Sequence, residues 1–111
     1  WWAIRSEEDG EFLGAIGINN IHPEHKRCEL GYWLLPENWG KGIISGAIAQ
    51  VLHHAFHTRG LHRVMAEVET ENTASARVLL KNGFRHECTL RECEWKDGRW
   101  VSLDVYALTN G

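Results

Sequence analysis

The stretch Glu29-Leu30-Gly31-Tyr32-Trp33-Leu34-Leu35-Pro36, followed by Asn38-Trp39-Gly40-Lys41-Gly42 and an amphipathic segment running to Thr58, decides the fold. Its apolar run favours a strand and stops at Pro36, whose fixed φ and missing N–H end a central strand. After Gly42 the residues Ile44, Ala47, Ile48, Val51, Leu52 and Ala55 recur at the i, i+3, i+4, i+7 spacing of a helix laid on a sheet. Gly60 is placed to close that helix. The first turn of a helix carries unpartnered N–H groups and the positive end of the macrodipole. Gly40 and Gly42 lack the Cβ atoms that hold a bulky anion away, and Lys41 adds a positive charge. The stretch therefore predicts either a phosphate or pyrophosphate site or a plain tight corner between strand and helix. Neither G-x-G-x-x-G nor G-x-x-x-x-G-K-[ST] is present to decide between them.

On the N-terminal side, Trp1 to Arg5 and Phe12 to Ile18 are β-prone runs joined by the turn Ser6-Glu7-Glu8-Asp9-Gly10. A loop is expected from Asn19 to His25, then a third strand over Arg27–Leu35, antiparallel to the second. On the C-terminal side, Val64, Ala66 and Val68 alternate with Met65, Glu67 and Glu69, so His62–Glu69 reads as a half-polar strand. With the preceding strand and helix it forms a β-α-β unit, parallel and right-handed. Asn72 is the expected N-cap of a second helix and Gly83 its C′ residue. Phe84 to Trp95 and Trp100 to Leu108 are strands joined by Lys96-Asp97-Gly98-Arg99, a strong hairpin signal, with Trp95 and Trp100 paired across it.

A chain of 111 residues with 43% hydrophobic and 24% charged residues reads as a single globular domain, residues 1–111. The net charge of −3 gives no bulk attraction to nucleic acid or to an anionic membrane, so neither is an expected partner. Three unpatterned cysteines, Cys28, Cys88 and Cys93, suit a reducing cytoplasm and read as filler. His53 and His57 stand i, i+4, but the Glu of H-E-x-x-H is lacking, and no metal is expected. Trp1-Trp2-Ala3-Ile4 resembles the middle of a strand, so an N-terminally incomplete domain is expected.

Glu29-Leu-Gly-Tyr-Trp-Leu-Leu-Pro, Trp39-Gly-Lys-Gly and Asn72-Thr-Ala-Ser-Ala-Arg-Val-Leu-Leu-Lys-Asn-Gly-Phe84, in this order and spacing, resemble the GNAT superfamily of acetyl-CoA-dependent N-acetyltransferases. Within it they are most similar to the branch that acetylates N-terminal amines of ribosomal proteins. The resemblance implies an α/β (α+β) fold: a mixed, twisted, mostly antiparallel sheet with one splayed parallel pair and helices on both faces. It implies that Trp39, Gly40, Lys41, Gly42, Ile43 and Ile44 form the loop whose amides hold the CoA pyrophosphate. Trp33, Leu34 and Leu35 then belong to the strand that pairs with the pantetheine arm, and Asn72 and Ser75 face the thiol end. Two positions depart from the pattern. Ile44 stands where a small residue is usual and would crowd the pyrophosphate. Leu79 stands where many relatives carry a tyrosine acid, which leaves Ser75 as the nearest proton donor.

Acetyl transfer needs a neutral amine, and an N-terminal α-amino group, with a pKa of about 7.7–8.0, is deprotonated at small cost. A carboxylate acting directly or through one water suffices as base. The candidates are Glu29, Glu67, Glu69, Glu92 and Glu94. Glu94, on the last hairpin, is preferred because similar N-terminal acetyltransferases place a glutamate there. Backbone N–H groups of Trp33–Leu35, freed by the splay, are expected to stabilise the oxyanion. The expected activity is direct transfer from acetyl-CoA to a primary amine, most often a protein N-terminus. The alternatives are acetylation of a small-molecule amine, or a degenerate CoA-binding domain without catalysis. An open sheet edge predicts self-association, with a homodimer as its simplest form.

Overall fold

A computed structural model describes residues 1–110. In chain order its elements are β1 (Trp2–Arg5), β2 (Phe12–His22), β3 (Arg27–Leu34), α1 (Ile43–His53), β4 (Arg63–Glu69), α2 (Thr73–Lys81), β5 (Arg85–Lys96) and β6 (Arg99–Thr109). The six strands form one sheet in the order β1-β2-β3-β4-β6-β5. Every pair is antiparallel except β3 with β4, which α1 connects as a β-α-β crossover.

Strand alternation sorts the side chains. Ile16, Leu30, Leu34, Val64, Ala66 and Val68 turn to one face, where they join Ile44, Ile48, Val51 and Leu52 of α1, Leu79 of α2 and Tyr106 of β6 in a single core. Both helices thus lie on that face, and Asn82 Nδ2 ties them by donating to Ser45 Oγ at 3.1 Å. The expectation of helices on both faces is corrected in this respect. The apolar stripes of α1 and α2 need an apolar sheet surface. The opposite face carries the other half of the alternation, including Glu29, Trp33, Glu67 and Glu69.

Local chemistry accounts for the element ends. Asn72 caps α2, its Oδ1 accepting from the Ser75 N–H at 3.1 Å. At the other end Gly83 has φ +90°, its N–H bonds to Leu80 O and that of Phe84 to Leu79 O, a Schellman closure. Asp97 and Gly98 have φ +50° and +77°, the left-handed pair of a two-residue hairpin, and Trp95 meets Trp100 edge-on at 5.3 Å.

Two boundaries differ from expectation. β2 does not stop at Ile18 but continues to His22 across a bulge, where Asn20 takes φ +46°, a conformation Asn tolerates. The first helix is α-helical only to His53, then widens into a π turn over His54–Thr58 before Gly60 ends it at φ +65°. Cys28 is buried and its thiol is pushed up to about 11 by desolvation; Cys88 and Cys93 are exposed, and all three are unpaired.

Leu79 is fully buried, so Leu79→Ala is expected to cost about 2–5 kcal/mol of stability. Asn72→Ala, which loses only the cap, is expected to cost about 1 kcal/mol. Urea unfolding of the two variants checks both values and their order.

Candidate functional site

The parallel pair β3–β4 is joined through Arg27↔Arg63, Cys28↔Val64 and Glu29↔Met65 and no further. Beyond these pairs the strands diverge, and a cavity of about 440 Å³ opens between them. Leu30 to Leu34 of β3 line one wall, Ala66 to Glu69 of β4 the other, and Trp39, Asn72, Ser75, Glu94 and Leu103 close it.

Which backbone groups face this wedge follows from the antiparallel register. Leu35 N–H donates to Leu13 O at 2.9 Å. Since hydrogen-bonded pairs alternate, Leu35, Trp33 and Gly31 spend their backbone groups on β2. The amides turned to the wedge are therefore those of Tyr32 and Leu34. This corrects the expectation that Trp33 and Leu35 supply free N–H groups: of the three expected residues, Leu34 alone does so. Trp33 still lines the wedge with its exposed side chain; Leu35 does not line it.

The loop beyond β3 leads into the N-terminus of α1. Gly40 and Gly42 have φ +83° and +75°, which a side chain rarely adopts, and a Cβ at either would meet nothing within 4 Å. The glycines are thus required by the backbone turn and leave open space above it. No side chain caps α1, and its first internal bond is Gly46 N–H to Gly42 O at 3.2 Å. The amides of Ile43, Ile44 and Ser45 precede that bond and project from the helix end, with exposed Lys41 beside them. This is a fit for a phosphate group.

Ile44 does not crowd the loop. It is 3% exposed and its side chain packs in the core, because the first turn of α1 directs that position inward. Trp39 borders the wedge, whereas Gly40, Lys41, Gly42, Ile43 and Ile44 lie outside it; Lys41 and Ile43 instead border a groove between α1 and β1.

Within the wedge two hydroxyls meet. Tyr32 Oη and Ser75 Oγ are hydrogen-bonded across β3 and α2. Ser75 is 2% exposed and its N–H is already held by Asn72, so its hydroxyl is not spent on the first turn of its own helix. Burial pushes the Tyr32 phenol up, against the lowering effect of its bond to Ser75. Sequence reasoning passed over Tyr32. The available signal was its parity: it shares the buried side of the strand with Leu30 and Leu34, and a hydroxyl there needs a polar partner.

Three carboxylates gather on the open face. Glu67 is held above the usual carboxylate range by desolvation and by the charges of Glu29 and Glu94. Glu67 and Glu94 both line the wedge, and Glu69 does so while paired to Lys96 Nζ at 2.8 Å. Glu29 accepts from Asn20 Nδ2, and Glu92 stands at φ +45° in the bulge of β5 with its N–H given to Ser102 Oγ. The expected base Glu94 is therefore beside the wedge together with Glu67.

Because the folded chain binds the Glu67 proton more tightly than the unfolded chain, stability falls as pH rises from the unfolded value through the raised one. Glu67→Gln is expected to melt higher than the parent at about pH 7, with the gap closing below about pH 4, where both states of the parent are protonated. Thermal melts at the two pH values check this; an equal gap at both would overturn it.

Comparison with known proteins agrees with this geometry. Residues 1–85 match the model of the acetyltransferase (GNAT) domain. Over 107 residues the chain is 37% identical to the uncharacterized N-acetyltransferase YoaA of Bacillus subtilis, covering 96% of this chain and 60% of that protein. The chain thus spans about 60% of that relative's length. Among solved structures, the spermidine N-acetyltransferase SpeG of Vibrio cholerae superposes with a TM-score of 0.89 at 22% identity, over 96% of this chain and 63% of that one. RimL, a ribosomal alpha-N-protein acetyltransferase in complex with coenzyme A, superposes with a TM-score of 0.85 at 27% identity, over 90% and 56%. A mixed sheet splayed at its one parallel pair, a glycine turn into an uncapped helix and a family match over most of the chain converge: the chain belongs to the GNAT family of acetyltransferases.

Proposed function

We propose that this chain binds acetyl-CoA and transfers its acetyl group directly to a primary amine, the N-terminal amine of a ribosomal protein being the favoured acceptor. The observation that carries the reading is the wedge itself: β3 leaves two backbone amides unpaired on a concave wall that leads to the uncapped end of α1. Gly40, Lys41, Gly42, Ile43 and Ile44 supply the turn and helix amides for the pyrophosphate. Trp33, Leu34, Trp39 and Asn72 border the path of the pantetheine arm, and the bound co-substrate supplies an activated thioester.

The Leu34 and Tyr32 amides are preorganised donors aimed into the wedge, where charge develops on an acyl oxygen. Glu94 and Glu67 line the wedge as candidate bases, and burial together with the charges of Glu29 and Glu94 raises the proton affinity of Glu67. Ser75, buried at the far wall, is the hydroxyl that serves the departing sulfur. The likeness to RimL supports a protein N-terminus as acceptor. The carboxylate group and the likeness to SpeG support a second reading, a small polycationic amine. Three unpaired cysteines support a reducing cytoplasmic setting.

Titration calorimetry is expected to give micromolar binding of acetyl-CoA, of order −8 kcal/mol. Thiol release should then follow with peptides bearing a free N-terminus and stay at background with peptides blocked there. Release with spermidine alone would move the acceptor to the small-amine reading; no binding of acetyl-CoA would overturn the proposal. Glu94→Gln is expected to lower kcat by about 10²-fold; full turnover in that variant would pass the role of base to Glu67.

A further inference from the structure

A serine hydroxyl is an intrinsically weak acid, and Ser75 needs a partner to serve as a proton donor. Ser75 is buried, its N–H is capped by Asn72, and its hydroxyl is bonded to the phenol of Tyr32. Tyr32 in turn rises from β3, whose Tyr32 and Leu34 amides face the wedge, and both residues line the same cavity. A buried hydroxyl pair has two ways to share its protons. When the phenol, the more acidic of the two, donates to Ser75 Oγ, the serine hydrogen is released to point into the cavity.

Resting on the acetyl-transfer reading, we infer that Tyr32 is a positioning residue and proton source that acts through Ser75, so that the two hydroxyls form a relay to the sulfur of the leaving thiol. As the amine nitrogen bonds to the acyl carbon and the C–S bond breaks, the electron pair leaves with sulfur. Ser75 Oγ gives its proton to that sulfur and takes the proton of the Tyr32 hydroxyl, and the phenolate recovers a proton from water. The proton lost by the amine goes to the wedge carboxylate and on to solvent, so protons and charge balance. This arrangement replaces a tyrosine on α2, where Leu79 is buried in the core and could not serve. The phenol enters the wedge from the sheet instead of from the helix.

The competing account is that the pair only fastens α2 to β3. Two measurements separate them. The first needs no turnover: the affinities of coenzyme A and of desulfo-coenzyme A are compared by calorimetry at about pH 7 and about pH 9, on either side of an ordinary thiol pKa of about 8.5. A hydroxyl relay that donates to sulfur favours the thiolate, so the preference for coenzyme A should grow about tenfold across that range in the parent protein. It should stay flat in Tyr32→Phe and in Ser75→Ala.

The second measurement is kinetic. Ser75→Ala is expected to lower kcat by about 10²-fold and Tyr32→Phe by about tenfold or more, with KM for acetyl-CoA unchanged. The double variant should be no worse than Ser75→Ala alone, because a relay is broken once. Circular dichroism melts establish that each variant is folded. A Tyr32→Phe protein that keeps both the growing preference and the parental kcat overturns the relay and leaves the acetyl-transfer reading standing. A parent protein that binds neither coenzyme overturns both.

Discussion

The early end of the β3–β4 ladder is the constraint on which the rest of the molecule depends. Parallel strands joined by a right-handed crossover normally pair along their length, with each backbone group satisfied. Here the pairing ends at Glu29 and Met65, and the two strands diverge. β3 remains fixed on its other side by the ladder to β2, and β4 by a continuous ladder to β6. The sheet therefore stays paired at both flanks of the gap, and the polar groups along the gap are left open between two ladders.

The two helices complete the arrangement in different ways. α1 begins at a turn of two left-handed glycines and has no side-chain cap, so its end presents amides and positive potential just after Trp39, which borders the wedge. α2 begins with a capped turn, and the Asn72 cap frees Ser75 to reach across to Tyr32. One helix leaves its terminal donors for a ligand, and the other satisfies its own so that a side chain is spared for the site.

Both helices cover the same face of the sheet, and the other face sets the carboxylates of the wedge beside buried Val101, Leu103, Val105 and Ala107 of β6. The covered face holds the core, from Ile16 and Leu30 to Leu79 and Tyr106. The opposite face is where burial and the charges of Glu29 and Glu94 raise the proton affinity of Glu67. Trp1 lies across that face over Gly17 and Gly31, its indole donating to Asn19 Oδ1 at 2.6 Å. A Cβ at Gly17 would stand 2.5 Å from the indole, so the glycine pair makes room for the tryptophan.

Sequence by itself determined the elements and their order, since these rest on local rules: Pro36 ending β3, the apolar stripe of α1, the Asn72 cap, the Gly83 closure and the Asp97-Gly98 hairpin. The glycine turn was legible through its local spacing, whereas Trp33, Leu34, Trp39, Asn72, Ser75 and Glu94 were singled out only by the resemblance to the GNAT pattern, and the fold brings them to the wedge. Tertiary structure decided what depends on register and direction. Which amides of β3 are free follows from the pairing of Leu35 with Leu13, a parity that side-chain chemistry does not encode. That Ile44 turns inward, that both helices take one face, and that Tyr32 meets Ser75 across 43 positions of chain are equally matters of packing. Local propensity fixes what each segment becomes, but only burial of the shared core fixes which side of each segment looks into the wedge.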